Sequence, residues 1–303
     1  MRTIYILGAG FSKTCGIATD LEMLDALNPL LDRTEQPKDP GNNKTSIEYF
    51  REQNFHHRQN VGFEEFLSTL SASKFSSEYL ELDRDVFEED EAEIQSTLKC
   101  YLRCKVENVD WAGKGKIILD FVEQVDWEHD HILTFNYDLL LEAAAAKNNV
   151  NGFKDRIIHL HGAVDDDTLA WPTYTKFAHE TVKVPLMGRW KKAYDILRDH
   201  GKIDRLAFIG YSMPPSDLEA KSLFNYTDHY NFLSTVHDKH QNDSANRTGI
   251  PEEKRYAYEI TVVNPCQKVQ ENYEFFRKSP IFEELTLEEW LNKNSQPSAT
   301  SPV

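Results

Sequence analysis

The chain has 303 residues, 34 Lys and Arg against 50 Asp and Glu for a formal net charge of −16, 40% hydrophobic residues and 17 Phe. That length and apolar content suffice for a large buried core, and the acidic balance excludes nonspecific binding to nucleic acid or to an anionic membrane surface. Cys15, Cys100, Cys104 and Cys266 are too few and scattered for a disulfide framework, and the sequence lacks both the longer apolar stretch of a signal peptide and the roughly 18-residue apolar run that spans a bilayer, so the expected setting is a soluble protein of a reducing cytoplasm.

The first element is a short apolar run, Thr3-Ile4-Tyr5-Ile6-Leu7, leading into Gly8-Ala9-Gly10-Phe11-Ser12. The pattern predicts a buried strand whose carboxyl end turns tightly into a helix. Glycine lets the backbone approach an anion, and a helix start offers unpaired N–H groups. A dinucleotide fingerprint asks for Gly or Ala three positions after its second Gly, where Lys13 stands here. It also asks for an acidic residue ending a second strand about 20 residues on, yet Asp25 and Asp32 fall in or just after a helical pattern. Taken alone, the loop fits a plain glycine turn equally well. Leu21, Leu24, Leu27 and Leu31 then recur at helical spacing, with Thr19 or Asp20 placed to cap. Pro37 to Gly41 break that helix. From there the pattern is mostly helical, with Phe63, Phe66, Leu67 and Leu70 as apolar positions and an acidic patch Glu88-Glu89-Asp90-Glu91. It is expected to be a helical insert, about 40–127, after the first strand–helix unit.

Four more strand candidates follow: His131 to Phe135, Arg156 to Leu160, Leu206 to Ile209 and Tyr258 to Val263. Each runs into a polar or glycine-bearing tip. The repeated order of strand, tip and helix predicts an α/β fold, a Rossmann-like doubly wound and mostly parallel sheet, with ligands at the strand carboxyl ends. That rule gathers Gly8 to Ser12, Asn136, Asp138, His161, Ser212 and Asn264 onto one rim. Residues 234–253 read as a long mobile loop and 294–303 as a disordered tail, leaving 1–293 as the domain.

Five rim motifs now stand in order: Gly8-Ala9-Gly10-Phe11-Ser12 with Gly16-Ile17 behind it, Thr134-Phe135-Asn136-Tyr137-Asp138, Leu160-His161-Gly162, Gly210-Tyr211-Ser212 with Asp217 five residues on, and Val263-Asn264-Pro265. Together they resemble the sirtuin family of NAD-consuming enzymes, and more closely the sirtuin-like NAD hydrolases of bacterial anti-phage defence. The resemblance covers about two thirds of the chain. It implies that His161 is a general base and that Asn136 stands against the nicotinamide ribose. It further implies that Gly8, Ala9, Gly10, Phe11 and Ser12 grip the pyrophosphate, that Asp138 meets the nicotinamide amide, and that Gly210, Ser212 and Asn264 contact the cofactor, the last two at the adenine ribose. NAD is then a substrate, cleaved to nicotinamide and ADP-ribose, and no metal is expected.

Two departures separate the chain from the deacylase branch. The deacylases carry a zinc module with two Cys-x-x-Cys pairs, whereas Cys100-x-x-x-Cys104 alone cannot make a four-thiolate site. Phe135 also stands where they have Gln. The implied role is a cell-suicide (abortive infection) effector, silent until triggered as a homo-oligomer or by a partner such as a HerA-type ATPase or an Argonaute-type protein, contacted through the helical insert or 234–253. The alternatives are a protein deacylase or ADP-ribosyltransferase, and a noncatalytic NAD- or ADP-ribose-binding regulatory subunit.

Blander roles remain open for the same residues. Asn136 could cap the next helix, Asp138 could be a first-turn acid, and Ser12 could be a cap. His159 reads as structural, Cys100 and Cys104 as packed thiols, Asp165-Asp166-Asp167 as a solvated turn, and Trp171-Pro172 as a lid over the pocket.

Overall fold

Successive side chains of a strand point to opposite faces, and in β1 (Thr3–Leu7) both faces are apolar. Tyr5 and Leu7 belong to one buried cluster, Ile4 and Ile6 to another. All five residues are buried, the condition of a central strand in a parallel sheet covered on both sides. The computed structural model describes residues 1–31, 62–63, 65–69, 85–167, 169, 180–198, 203–214, 217–229 and 258–295.

After β1 come helices α1 (Ala9–Lys13), α2 (Asp20–Leu31), α3 (Asp85–Glu107) and α4 (Lys116–Gln124). Then follow β2 (His131–Thr134), α5 (Leu140–Lys147), β3 (Ile157–His159), α6 (Glu180–Arg198) and β4 (Arg205–Ile209). The remainder is α7 (218–229), β5 (Glu259–Val263), β6 (Ile281–Glu283) and α8 (Leu287–Ser295). The strands form one sheet in the order β3-β2-β1-β4-β5-β6, with every neighbouring pair parallel. The expected Rossmann-like doubly wound sheet is therefore present. Strand order reverses between β1 and β4, and the crevice at their carboxyl ends is the switch point where such sheets take ligands.

Residues from α2 to α5 and from α8 join the cluster on the Tyr5–Leu7 face, while α6, α7, Tyr273 and Phe276 join that on the Ile4–Ile6 face. In α4, Ile118, Phe121 and Val122 are buried, three positions that share one helical face. Phe121 meets Tyr5 and Phe11 edge-on, with centroids at 5.2 and 5.1 Å. At α2, the Thr19 N–H and hydroxyl both donate to Glu22 Oε2, at 3.2 and 3.0 Å, which is the return arm of a capping box.

β6 was not anticipated from the sequence. It is three residues long, half-exposed and at the sheet edge, too short for an alternation to register. Helix α8 runs through Ser295. The 234–253 loop, Trp171-Pro172, Leu70, the tail beyond 295 and much of the 40–127 insert lie outside the described residues, as do the side chains of Glu88 to Glu91.

Candidate functional site

At the switch point the tips of β1 and β4 touch. The Gly8 N–H donates to the Ile209 carbonyl at 3.2 Å, that of Gly10 to the Gly210 carbonyl at 2.9 Å, and that of Phe11 to the Gly8 carbonyl at 2.9 Å. Gly210 has φ 60°. A Cβ on it would run into the Phe11 nitrogen and stand 2.5 Å from the Gly10 carbonyl carbon, and one on Gly8 would stand 2.5 Å from the Tyr211 Cα. Glycine is thus required because two backbones pass in contact. The N–H groups of Gly8, Gly10 and Phe11 are occupied by protein carbonyls, and Ala9 is exposed on the cavity wall. Three residues past Gly210, Met213 is fully buried with φ 46°, a left-handed turn that non-glycine residues seldom adopt.

Asn136 ties β2 to this loop. Its Nδ2 donates to the Gly8 carbonyl and to Ser12 Oγ, each at 3.0 Å. A carbonyl only accepts, which fixes the nitrogen toward Gly8 and turns the amide oxygen away as an acceptor. The side chain therefore does not cap α5, whose N-cap, Leu139, makes no side-chain cap bond. Ser12 also hydrogen-bonds Asp138, and Asp138 Oδ1 accepts the Leu140 N–H at 3.1 Å. Burial holds the Asp138 carboxyl above the usual range against the lowering pull of those two donors. Behind Asn136, His159 Nδ1 donates to its carbonyl at 2.9 Å, and His159 Nε2 lies 2.6 Å from Glu142 Oε1. Burial, the largest single influence, opposes charge on the His159 ring, but Glu142, the Asn136 carbonyl and Asp138 together outweigh it and raise the ring's pKa.

Two residues beyond β3, His161 is buried among aromatic rings. Phe135 stands edge-on to it at 5.1 Å, and Tyr137 and Trp190 are each at 6.2 Å. Its Nε2 lies 3.7 Å from Asp217 Oδ2. The loop carrying it is tied down from two helices. From α6, Arg189 grips Asp166 with two bonds of 2.6 Å, and Trp190 Nε1 donates to the Leu160 carbonyl at 2.7 Å. From α3, Arg103 donates to the Val164 carbonyl at 2.9 Å and Lys99 to that of Asp166 at 2.8 Å. Asp166 also accepts the Ala163 N–H. Burial pushes its carboxyl up, and Arg189 and Ala163 together bring it below the usual range. Asp165 and Asp167 are exposed, as a solvated turn would be, but Asp166 is the loop's anchor.

A cavity of about 760 Å³ opens here, within the size range of small-molecule sites. Of the residues expected at the rim, Gly8, Ala9, Gly10, Ser12, Asn136, Asp138, His161, Gly210, Ser212 and Asn264 line it, and Phe11 does not. Asn264 Oδ1 accepts the Cys266 N–H at 3.0 Å, and the exposed Ser212 accepts Asn272 Nδ2 at its carbonyl at 2.8 Å. Asp217, Tyr211 and an apolar wall of Ile17, Met23, Phe63, Leu98 and Leu102 line the cavity as well, none of them with a role expected from the sequence. The spacing Gly210-Tyr211-Ser212 to Asp217 was a usable signal for the first two; of the wall, Ile17 stood behind the glycine motif and Phe63 at a helical apolar position, and nothing in the linear pattern marks Met23, Leu98 and Leu102 as cavity lining. Among the described residues no group of three or more His, Cys, Asp or Glu is disposed to hold a metal ion, and no helix is long and apolar enough to cross a membrane.

No protein-family model and no curated protein matches the chain. Among solved structures, it is similar to a Sir2 homologue in complex with NAD, at TM-score 0.46 and 13% identity over 96% of this chain and 87% of the other. It is also similar to a serine-to-alanine mutant of a Sir2 homologue with ADP-ribose, at TM-score 0.43 and 14% identity over 96% of this chain and 89% of the other. Likeness at that level does not say what this chain binds.

Proposed function

We propose that the chain is an NAD glycohydrolase acting as a cell-suicide effector of anti-phage defence. Water would replace nicotinamide at the anomeric carbon of the ribose, giving nicotinamide, ADP-ribose and one proton. The observation that carries this reading is the meeting of Asn136 and His161, both buried, on neighbouring strand tips in one cavity at the switch point. Nicotinamide leaves neutral from a cationic state, so the protein's task is to stabilise an oxocarbenium-like ribose and to deliver water. Both Asn136 N–H donors are held by protein oxygens, which aims the amide oxygen at a water or a ribose hydroxyl. His161 takes the proton. Phe135, Tyr137 and Trp190 limit access of bulk water around it. The glycine loop would meet the pyrophosphate at its exposed Ala9, with Ser12 behind it holding Asn136 and Asp138; Asp138 would stand at the nicotinamide amide, and Gly210, Ser212 and Asn264 toward the adenosine.

The test is nicotinamide release from NAD by the wild type, Asn136→Ala and His161→Ala, with NAD binding measured separately. Expected is a loss of roughly 100-fold or more in turnover for each variant with binding retained. Equal turnover in all three would remove the site assignment, and no release by the wild type, alone or with an activator, would remove the activity. Control by self-assembly or by an ATPase or Argonaute-type partner belongs to the same proposal, and a fully active monomer would contradict it.

A further inference from the structure

Asp217 is buried beside His161, with the two side chains 4% and 6% exposed. A carboxylate in such a place is costly unless its oxygens are hydrogen-bonded, and both are. The Tyr211 hydroxyl donates to Oδ2 at 2.7 Å and the Ala220 N–H to Oδ1 at 3.3 Å. The Asp217 N–H donates to the Pro214 carbonyl at 3.0 Å, so the backbone presenting the acid is fixed as well. Tyr211 cannot swing away, because its ring lies flat on Phe135 at 4.3 Å and 5°, and Phe135 stands edge-on to His161. The four side chains close a ring from the β2 tip through the β4 tip to the imidazole.

We infer that Asp217 is the positioning residue of His161: it selects one tautomer of the imidazole, orients it toward the cavity, and carries the imidazolium formed during turnover. This deepens the hydrolase reading and rests on it for the chemistry. A carboxylate only accepts hydrogen bonds, and Nε2 is the ring nitrogen that faces it, at 3.7 Å, so Nε2 is the nitrogen that keeps the proton. The lone pair that receives the proton of the attacking water is then on Nδ1. The O–H bond of water breaks as its oxygen bonds to the anomeric carbon, the C–N electron pair departs with nicotinamide, and the proton goes to Nδ1 and later to solvent. Asp217 stays ionised throughout. Tyr211 holds the carboxylate at the angle that meets the ring.

The experiment pairs the wild type with Asp217→Asn and Asp217→Glu. Histidine ring nitrogens are followed by 15N NMR, and kcat and KM are measured for NAD. The wild type is expected to show the Nε2–H tautomer of His161, and Asp217→Asn a mixed ratio. The kcat of Asp217→Asn should fall about 100-fold or more while KM moves less than about three-fold, with part of kcat returned by Asp217→Glu. An unchanged His161 tautomer ratio overturns the proposal, and so does a kcat within about two-fold of the wild type's. A wild type without turnover would defeat the hydrolase reading, while the tautomer ratio still decides the role of Asp217. Should Asp217→Asn not fold, Tyr211→Phe, which removes the bond to Oδ2 and leaves the charge, gives the same readouts at smaller size.

Discussion

Gly16 and Gly210 both adopt left-handed backbone, with φ 76° and 60°, and differ in their surroundings. An added Cβ meets nothing within 4 Å at Gly16, and the β1 tip at Gly210. Gly16→Ala is expected to cost about 1–2 kcal/mol, the price of the conformation alone. Gly210→Ala should cost more than about 3 kcal/mol, because the Gly8–Phe11 loop must move as well. Urea melts of the two variants measure the difference, and equal losses would mean that the tips are not interlocked. The Gly8-x-Gly10 pair was legible as a special loop, but its partner Gly210 lies far off in the chain, and only the strand order reveals that contact rather than phosphate alone demands glycine. That Asn136 and His161 stand at strand tips was legible from the repeated order of strand and polar tip, and both line one cavity; the roles given to them came from the resemblance alone. Asp217 was marked in the sequence only by its spacing from Ser212; its approach to His161, 3.7 Å between side chains 56 residues apart, is visible only in the fold.

The β2–β3 edge carries two histidines whose environments pull in opposite directions. Burial, then Arg156 and Arg2, lower the pKa of His131 from 6.5 to about 4. Its folded value lies below the unfolded one, so the stability it contributes is complete above pH 6.5 and is lost as pH falls toward 4. His159 is raised above 6.5 by Glu142 against its burial, so its contribution is complete below pH 6.5 and is lost as pH rises through the raised value. Melting temperature against pH should therefore fall on both sides, with His131→Asn flattening the acid limb and Glu142→Gln the neutral-to-basic one. A variant that leaves its limb unchanged would assign that limb elsewhere. At this scale the sequence spoke clearly for strands of four or five buried residues, such as β1 and β4. It was silent on β6, where burial on one edge and a length of three residues leave no periodicity to read.

Across the whole molecule, the sheet supplies the tips that line the cavity and helices from both faces hold them. Lys99 and Arg103 of α3 reach the carbonyls of the loop that carries His161. With Lys99→Met and Arg103→Met combined, each lost bond should release about 0.5–1.5 kcal/mol of local stability, speeding amide exchange across 162–167 by roughly two- to ten-fold per bond. Amides of α4 should exchange as before, and unchanged exchange at 162–167 would show that α6 alone holds the loop. The helical character of this region was legible from its apolar spacing. Its grip on the His161 loop was not, because long cationic side chains meeting backbone carbonyls leave no trace in hydrophobic pattern.

The pairing of the first strand with the fourth also sets an order of events in time. The Arg2 N–H donates to Asp204 across 202 residues of sequence, and β1 has β4 as one of its two neighbours. A ribosome adding about 5–20 residues per second needs roughly 10–40 s to deliver β4 after β1 has emerged. Throughout that interval the Gly8 loop has no Gly210 to close against. The cavity is thus assembled only once the chain has passed the fourth strand, and whatever chemistry it performs is held back until synthesis is about two thirds done.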